Sequence, residues 1–171
     1  MKRFLMSSAA ALAALIATPA LAQDTAAASA TGLRGAVTLG IGGDKIFDTD
    51  GETIGFELGY DWDLSNAVAG VAVQYDTDLG SGLFDANQTA VIGRVGGKIG
   101  GSNNLLYVAA GYTRVSLGAT PFDTGGDGVR AAIGAEFAVA ENLTIKLEQR
   151  YSNYEAGVEL HQTVAGLGFR F

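Results

Sequence analysis

The sequence predicts an all-β protein, an eight-stranded antiparallel up-and-down transmembrane β-barrel. Three observations predict this fold. Eight segments within residues 33–171 carry apolar residues at every second position, which places those residues on one face of a strand. The opposite faces collect glycines and most of the cations. The predicted connections alternate between about four to six and about nine to twelve residues, as in barrels with short turns at one end and longer loops at the other.

The first 22 residues have the layout of a secretory signal peptide. Lys2 and Arg3 precede a short apolar run, and Thr18-Pro-Ala-Leu-Ala22 supplies an Ala-x-Ala cleavage pattern. The apolar run is too short for a membrane-spanning helix. We therefore predict a signal peptide at residues 1–22, a flexible N-terminal lead at 23–32 and a barrel at 33–171.

The composition of the predicted mature chain excludes several classes of protein. Nine Lys and Arg face 18 Asp and Glu, a balance that argues against nucleic-acid binding, which needs a basic surface. The chain has no cysteine, which excludes disulfides and thiolate metal sites. No segment after the signal reaches 18 consecutive apolar residues, so no helical span is predicted.

The first four predicted strands each separate an apolar from a polar face. The clearest is 53–62, where a helix would scatter five apolar residues that a strand aligns. The apolar residues are, strand by strand, Val37, Leu39 and Ile41; Ile54, Phe56, Leu58, Tyr60 and Trp62; Ala69, Val71, Val73 and Tyr75; Val91 and Val95. The charged residues opposite them are Arg34, Glu57, Asp61, Arg94 and Lys98.

The last four predicted strands follow the same rule, except the fifth. Residues 105–115 have strand composition but poorly separated faces, and we assign Arg114 to the polar face. In strands six to eight the apolar residues are Val129, Ala131, Ile133, Ala135 and Phe137; Leu143, Ile145, Leu147 and Tyr151; Ala165, Leu167, Phe169 and Phe171. The charged residues opposite them are Arg130, Glu136, Lys146, Glu148, Arg150 and Arg170.

A soluble, lipocalin-like barrel would also alternate, but with its polar face outward. The polar faces here carry nine glycines outside the fifth strand, which weaken a solvated strand but make room inside a narrow barrel. Eight of the nine mature cations lie on these faces, and only Lys45 falls in a long loop. Aromatic residues cluster at both ends of the strands, as in the two interfacial girdles of a membrane barrel; Tyr107 is assigned to one girdle and Tyr154 to the other. We therefore predict a charged lumen network formed by Arg34, Glu57, Arg94, Arg114, Arg130, Glu136, Lys146, Glu148, Arg150 and Arg170.

Over most of residues 33–171 the chain resembles the opacity-protein, OmpA/OmpX-like family of small outer-membrane barrels. The residues that carry the resemblance are Gly134-Ala-Glu-Phe137, Asn142-Leu143, Leu147-Glu-Gln-Arg-Tyr-Ser-Asn-Tyr154 and Gly166-Leu-Gly-Phe-Arg-Phe171. The resemblance implies export through the periplasm with chaperones, an outer-membrane location, contact with lipids and lipopolysaccharide, and a monomer. It also implies that Leu167, Phe169 and Phe171 form the signal read by the barrel-assembly machinery.

Candidate chemistry is sparse. A lipid A acyl hydrolase barrel would need a base near Ser152, and His161 is the only histidine. Asp48-Thr-Asp-Gly51 with Glu57 only superficially matches a calcium loop, because Ile46 would occupy the first ligand position. We therefore expect no catalytic residue, metal or cofactor.

The predicted function is structural, in envelope integrity or surface interaction. A narrow leaky channel and the acyl hydrolase are the alternatives.

Overall fold

A computed structural model gives the arrangement of residues 31–44, 49–79, 85–100, 104–119 and 122–171. The predicted signal peptide, most of the predicted lead, Lys45 and Asp48 lie outside these described residues. In the part of the chain that is described, no helix is long and apolar enough to cross a membrane.

Eight antiparallel strands form one closed barrel, each paired with its neighbours in sequence, which confirms the predicted fold class. The strands are β1 Gly32–Asp44, β2 Thr49–Asp63, β3 Ala67–Asp78, β4 Asp85–Ile99, β5 Asn104–Ala119, β6 Phe122–Ala138, β7 Leu143–Tyr154 and β8 Glu159–Arg170. A 3-10 turn, Glu155–Gly157, links β7 to β8.

The barrel closes between its first and last strands. β1 pairs with β8 from Arg34↔Arg170 to Asp44↔Leu160, and the Phe171 amide donates a 2.9 Å hydrogen bond to the Leu33 carbonyl. Closure leaves none of the eight described strands with an unpaired edge, which a sheet within hydrocarbon requires because no water is present to satisfy the backbone.

The connections define two ends of the barrel. The turn end is the one at which β2, β4 and β6 end and β3, β5 and β7 begin, and it also holds Gly32 and Phe171; the opposite end is called the hairpin end. At the hairpin end the strands run further than predicted: β5 reaches Ala119 and β6 starts at Phe122, where the sequence predicted a loop of about twelve residues. The prediction was wrong because the backbone ladder continues through glycine and polar residues that show no alternation.

Burial is inverted relative to a soluble protein. Among the described residues, seventeen polar or charged residues are buried against ten hydrophobic ones. The large apolar side chains face outward instead, with Leu58 59% and Val129 64% exposed. An exposed apolar surface of this extent around a closed barrel is the lipid-facing surface of a membrane protein.

Glycine makes room in the lumen at two informative positions. A Cβ on Gly134 would collide with the ring of Tyr107, and a Cβ on Gly70 would collide with the carboxylate of Asp61. At these two positions glycine is therefore required by the side chain that occupies the space of its missing Cβ.

The aromatic residues divide between the two faces. Tyr60 and Trp62 face outward at the turn end in an edge-to-face pair, with ring centroids 5.3 Å apart. Tyr107 and Tyr154, which the sequence assigned to the girdles, are buried in the lumen. Both assignments were wrong, because a tyrosine whose hydroxyl finds a buried partner is stable inside the barrel.

Candidate functional site in the barrel lumen

The charged side chains inside the barrel form one continuous series, which we call the charge chain. Cations and carboxylates alternate along it, so that every carboxylate contacts two cations. From the turn end to the hairpin end its members are Arg170, Glu136, Arg94, Asp61, Arg34, Glu57, Lys146, Glu148, Arg150, Asp76 and Arg130. Six cations and five carboxylates leave one excess positive charge.

At the turn end, Glu136 and Asp61 join three arginines. Arg170 donates to Glu136 at 2.9 Å, and Arg94 also donates to Glu136. Asp61 Oδ1 accepts from the Nε atoms of Arg34 and Arg94, at 3.0 and 3.1 Å. These five strands, β1, β2, β4, β6 and β8, are thereby tied together across the lumen.

In the middle of the barrel, Lys146 lies between two glutamates. Its Nζ is 2.6 Å from Glu57 and 3.2 Å from Glu148. Glu57 also accepts from Arg34 and, at 2.7 Å, from the amide of Gln74. Glu57 therefore accepts hydrogen bonds from three donors inside the lumen. It does not serve as a ligand of the calcium loop that Asp48-Thr-Asp-Gly51 resembles.

At the hairpin end, Asp76 holds two arginines. Arg150 and Arg130 each approach it at 3.0 Å. Arg130 further donates to Gln74 at 2.9 Å and to Gln88 at 2.6 Å, so its guanidinium is almost fully used. Asp76 follows Tyr75, the last apolar residue assigned to the third strand from the sequence; β3 continues to Asp78 and turns Asp76 inward.

Isolated charges in such an interior would be strongly destabilising, because desolvating an ion has a large free-energy penalty. Alternation offsets this penalty, since each charge except the two terminal arginines, Arg170 and Arg130, has opposite charge on both sides, and charge-assisted hydrogen bonds satisfy most of the polar atoms. Among the described residues, the Nη2 atom of Arg34 is one of three buried side-chain atoms without a hydrogen-bond partner.

Apolar side chains fill the other half of the lumen. They come from β3, β4 and β5, and are Val68, Ala72, Ala90, Ile92, Leu105, Tyr107 and Ala109. Tyr107 joins the two halves: its ring lies beneath the guanidinium of Arg94, 5.0 Å from the centroid, and its hydroxyl donates to Glu148 at 2.6 Å. A pocket at the turn end beside Arg34 and Arg170 has a volume of about 10 Å³, roughly one water molecule.

The structure places nine of the ten predicted lumen residues on inward faces, and Arg114 outside them. Arg114 faces outward at the hairpin end and donates to Asp127 at 3.1 Å, with both side chains largely exposed. The assignment of Arg114 to the lumen was wrong, because the inward positions of β5 are the odd-numbered ones, Leu105 to Thr113.

The sequence analysis did not place Asp76 or Tyr107 in the lumen. It placed Asp61 on a polar face but gave it no role in the charged network.

The candidate nucleophile and base lie on opposite faces of the barrel wall. Ser152 is buried in the lumen, where its Oγ accepts from Arg130 Nε at 3.1 Å. His161 is aligned with Tyr151 on the outward face, with ring centroids 4.9 Å apart. His161 therefore cannot take a proton from Ser152. The described residues also contain no cluster of three or more potential metal ligands.

The predicted assembly residues lie at the turn end of β8. Leu167 and Phe169 face outward and are half exposed, and Phe171 is 80% exposed just beyond the strand. The three side chains therefore form an outward row that continues past the last strand.

The family model of the outer membrane protein beta-barrel domain matches residues 8–171. No curated protein matches the sequence significantly. Among solved structures, the fold is similar to Neisserial surface protein A, with a TM-score of 0.59 and 13% identity over 81% of this chain and 96% of that one.

Two further structures share the fold. Ail, the attachment invasion locus protein of Yersinia pestis, in complex with the heparin analogue sucrose octasulfate, has a TM-score of 0.61 and 16% identity over 82% of this chain and 97% of that one. The outer membrane enzyme PagL has a TM-score of 0.52 and 14% identity over 80% of this chain and 99% of that one. A protein described as a surface protein, an attachment invasion locus protein and an enzyme thus share this architecture, so the function has to be argued from the site and not from the fold.

Proposed function

Because the chain belongs to the outer membrane protein beta-barrel domain family, we propose that it is a structural, non-enzymatic outer-membrane barrel that contributes to envelope integrity or surface interaction. The observation that carries the proposal is the filled lumen. The charge chain occupies one half and the apolar cluster around Tyr107 the other. An eight-stranded barrel has an interior just wide enough for side chains to fill, so no continuous water path is expected.

Conductance tests this proposal against the narrow-channel alternative. In planar bilayers the wild-type chain is expected to give no stepwise conductance above leak. Tyr107→Ala removes the largest side chain of the apolar lumen half and is expected to conduct, whereas Tyr60→Ala, on the lipid face, is the matched control. Stepwise conductance by the wild type, equal to that of Tyr107→Ala, would favour the channel.

In the lipid A acyl hydrolase alternative, Ser152 would be the nucleophile and His161 the base, but these two side chains lie on opposite faces of the barrel wall. Mass spectrometry of lipid A from cells with and without the protein tests it directly. We expect identical acylation patterns. Loss of an acyl chain that depends on the protein would establish an enzymatic role, and Ser152→Ala would then show whether that serine takes part.

The expected partners are outer-membrane lipids and lipopolysaccharide, with the barrel-assembly machinery and periplasmic chaperones acting during export. The exposed acidic residues Glu52, Asp127 and Glu155 at the hairpin end do not favour a polyanionic ligand such as the heparin analogue bound by Ail. Contact with anionic lipopolysaccharide would instead use bridging divalent cations. A deletion strain is expected to become sensitive to detergents and large antibiotics, and unchanged sensitivity would argue against a role in envelope integrity.

A further inference from the structure

Arg114 is a cation on the outer wall of the barrel. Among the described residues, every other Lys and Arg side chain lies on an inward face. The Arg114 side chain is 56% exposed, and its Nη1 donates to Asp127 at 3.1 Å. A cation in this position is available to a ligand outside the barrel.

The apolar surface of the wall ends directly beside Arg114. The last apolar row on β4–β6 consists of three aligned residues that are each more than half exposed, Val91, Tyr112 and Val129. The next outward row toward the hairpin end is polar and consists of Thr89, Arg114 and Asp127. The boundary of the lipid-facing surface therefore lies between these two rows.

The height of the wall agrees with this boundary. On β6, Asp127 is ten residues from Phe137 at the turn end, about 33 Å along the strand and roughly 25 Å along the membrane normal at the usual tilt. The apolar band of such barrels is about 25 Å tall, so Asp127 and Arg114 lie at the level of the lipid headgroups. Because the short turns of these barrels face the periplasm, the headgroups at the hairpin end are those of the outer leaflet.

The guanidinium of Arg114 has one edge that the barrel does not cover. A Cβ on Gly125 would lie 3.4 Å from Nη2 and 3.6 Å from Nε, but glycine leaves this space empty of a side chain. Two parallel N–H groups on such an edge match two oxygens of a phosphate. The hydroxyl residues Thr89 and Ser116 occupy neighbouring outward positions and offer further donors.

We propose that a phosphate group of lipid A, in the outer leaflet, binds the Nε–Nη2 edge of Arg114. Asp127 holds the guanidinium from its other side and so fixes the direction of that edge. The proposal rests on the proposed contact of the barrel with lipopolysaccharide. It adds one direct contact to those made through bridging divalent cations.

Lipid A that carries both phosphates is the probe for this site. It is titrated into the folded barrel in zwitterionic detergent with EDTA, so that no divalent cation bridges it to acidic residues, and native mass spectrometry gives the apparent Kd. Arg114→Gln is expected to raise this Kd by about tenfold, as for the loss of a charge-assisted contact. Asn153→Asp, at an exposed position on β7, changes the net charge equally and is expected to raise the Kd by less than about threefold.

Lipid A without phosphates identifies the group that Arg114 recognises. The wild type and Arg114→Gln are expected to bind it equally. The proposal is overturned if Arg114→Gln and Asn153→Asp raise the Kd for phosphorylated lipid A equally, or if Arg114→Gln weakens binding of the dephosphorylated lipid as much. The gel shift on boiling shows that each variant is folded. Detergent sensitivity of the deletion strain tests the envelope role separately, so failure of one proposal is distinguishable from failure of the other.

Discussion

The hydroxyl of Tyr107 donates a 2.6 Å hydrogen bond to Glu148 across the lumen, between β5 and β7. This bond joins the apolar cluster to the charge chain. Glu148 also lies between Lys146 and Arg150 on its own strand, so one carboxylate receives three donors. Substitutions at Tyr107 and Glu148 therefore test how much these lumen contacts contribute to the free energy of unfolding.

Tyr107→Phe removes the hydroxyl and little else. Because hydrogen bonds to charged groups contribute more than neutral ones, we expect the free energy of unfolding to fall by about 1.5–3 kcal/mol. Urea unfolding in lipid vesicles measures this value. Tyr60→Phe, on the outward face, is the control and should change it by less than about 0.5 kcal/mol. Equal effects of the two variants would mean that the Tyr107–Glu148 bond does not stabilise the barrel.

Glu148→Ala leaves Lys146 and Arg150 desolvated and facing each other. Removing one partner of a buried ion pair lowers the free energy of unfolding by about 3–5 kcal/mol. The matched control is Glu155→Ala in the exposed 3-10 turn, which we expect to change stability by under about 0.5 kcal/mol. If urea unfolding gives the same result for both glutamates, the inward charged faces do not act as a packed network.

Gly134→Ala and Gly97→Ala compare an inward with an outward glycine. A Cβ at Gly134 meets the ring of Tyr107, whereas a Cβ at Gly97 meets no atom within 4 Å. We expect Gly134→Ala to destabilise by about 1–3 kcal/mol through overpacking. Gly97→Ala should be neutral or slightly stabilising, because alanine loses less backbone entropy on folding. The reverse order in thermal or urea unfolding would contradict the inward placement of Gly134.

The mature chain is expected to begin at Gln23. Signal peptidase should cleave after the Ala-x-Ala pattern that ends at Ala22. Mass spectrometry of the protein from outer-membrane fractions identifies the first residue. If residues 1–22 are still present in that protein, they do not act as a cleaved signal peptide.

Deleting Phe171 is expected to reduce the yield of inserted protein. The side chain is 80% exposed beyond β8, where it contributes an interfacial aromatic and the last residue of the predicted assembly signal. Phe171→Tyr, which keeps the aromatic ring, is the control. The measurement is the amount of heat-modifiable protein in outer membranes at low expression, and an unchanged amount would argue against the assembly role.

The sequence was sufficient for the strand number, the barrel and most of the lumen, because period-two alternation assigns each residue of a clear strand to one face. It was insufficient where alternation is ambiguous. In β5, Ala109, Ala110 and Gly111 give little contrast, so Arg114 was assigned inward although it bonds with Asp127 outside.

The partners within the lumen were not predictable in the same way. The contact between Lys146 and Glu57 joins residues 89 positions apart and depends on the closure of the whole barrel. Asp76 looks like a loop residue in the sequence, and only the continuation of β3 shows that it anchors Arg150 and Arg130. Local patterns specify faces, whereas pairings across a lumen need the register of all eight strands.

The distribution of charge between the two halves of the chain has a consequence for the order of folding. In β1–β4 the charge chain has two arginines and three carboxylates, and in β5–β8 it has four cations and two glutamates. Each half alone therefore carries an uncompensated inward charge, negative in the first and positive in the second. A half-built barrel has unpaired ions facing its interior, while the two halves attract one another. Folding should consequently be all-or-none, with the late strands drawn into place by the early ones.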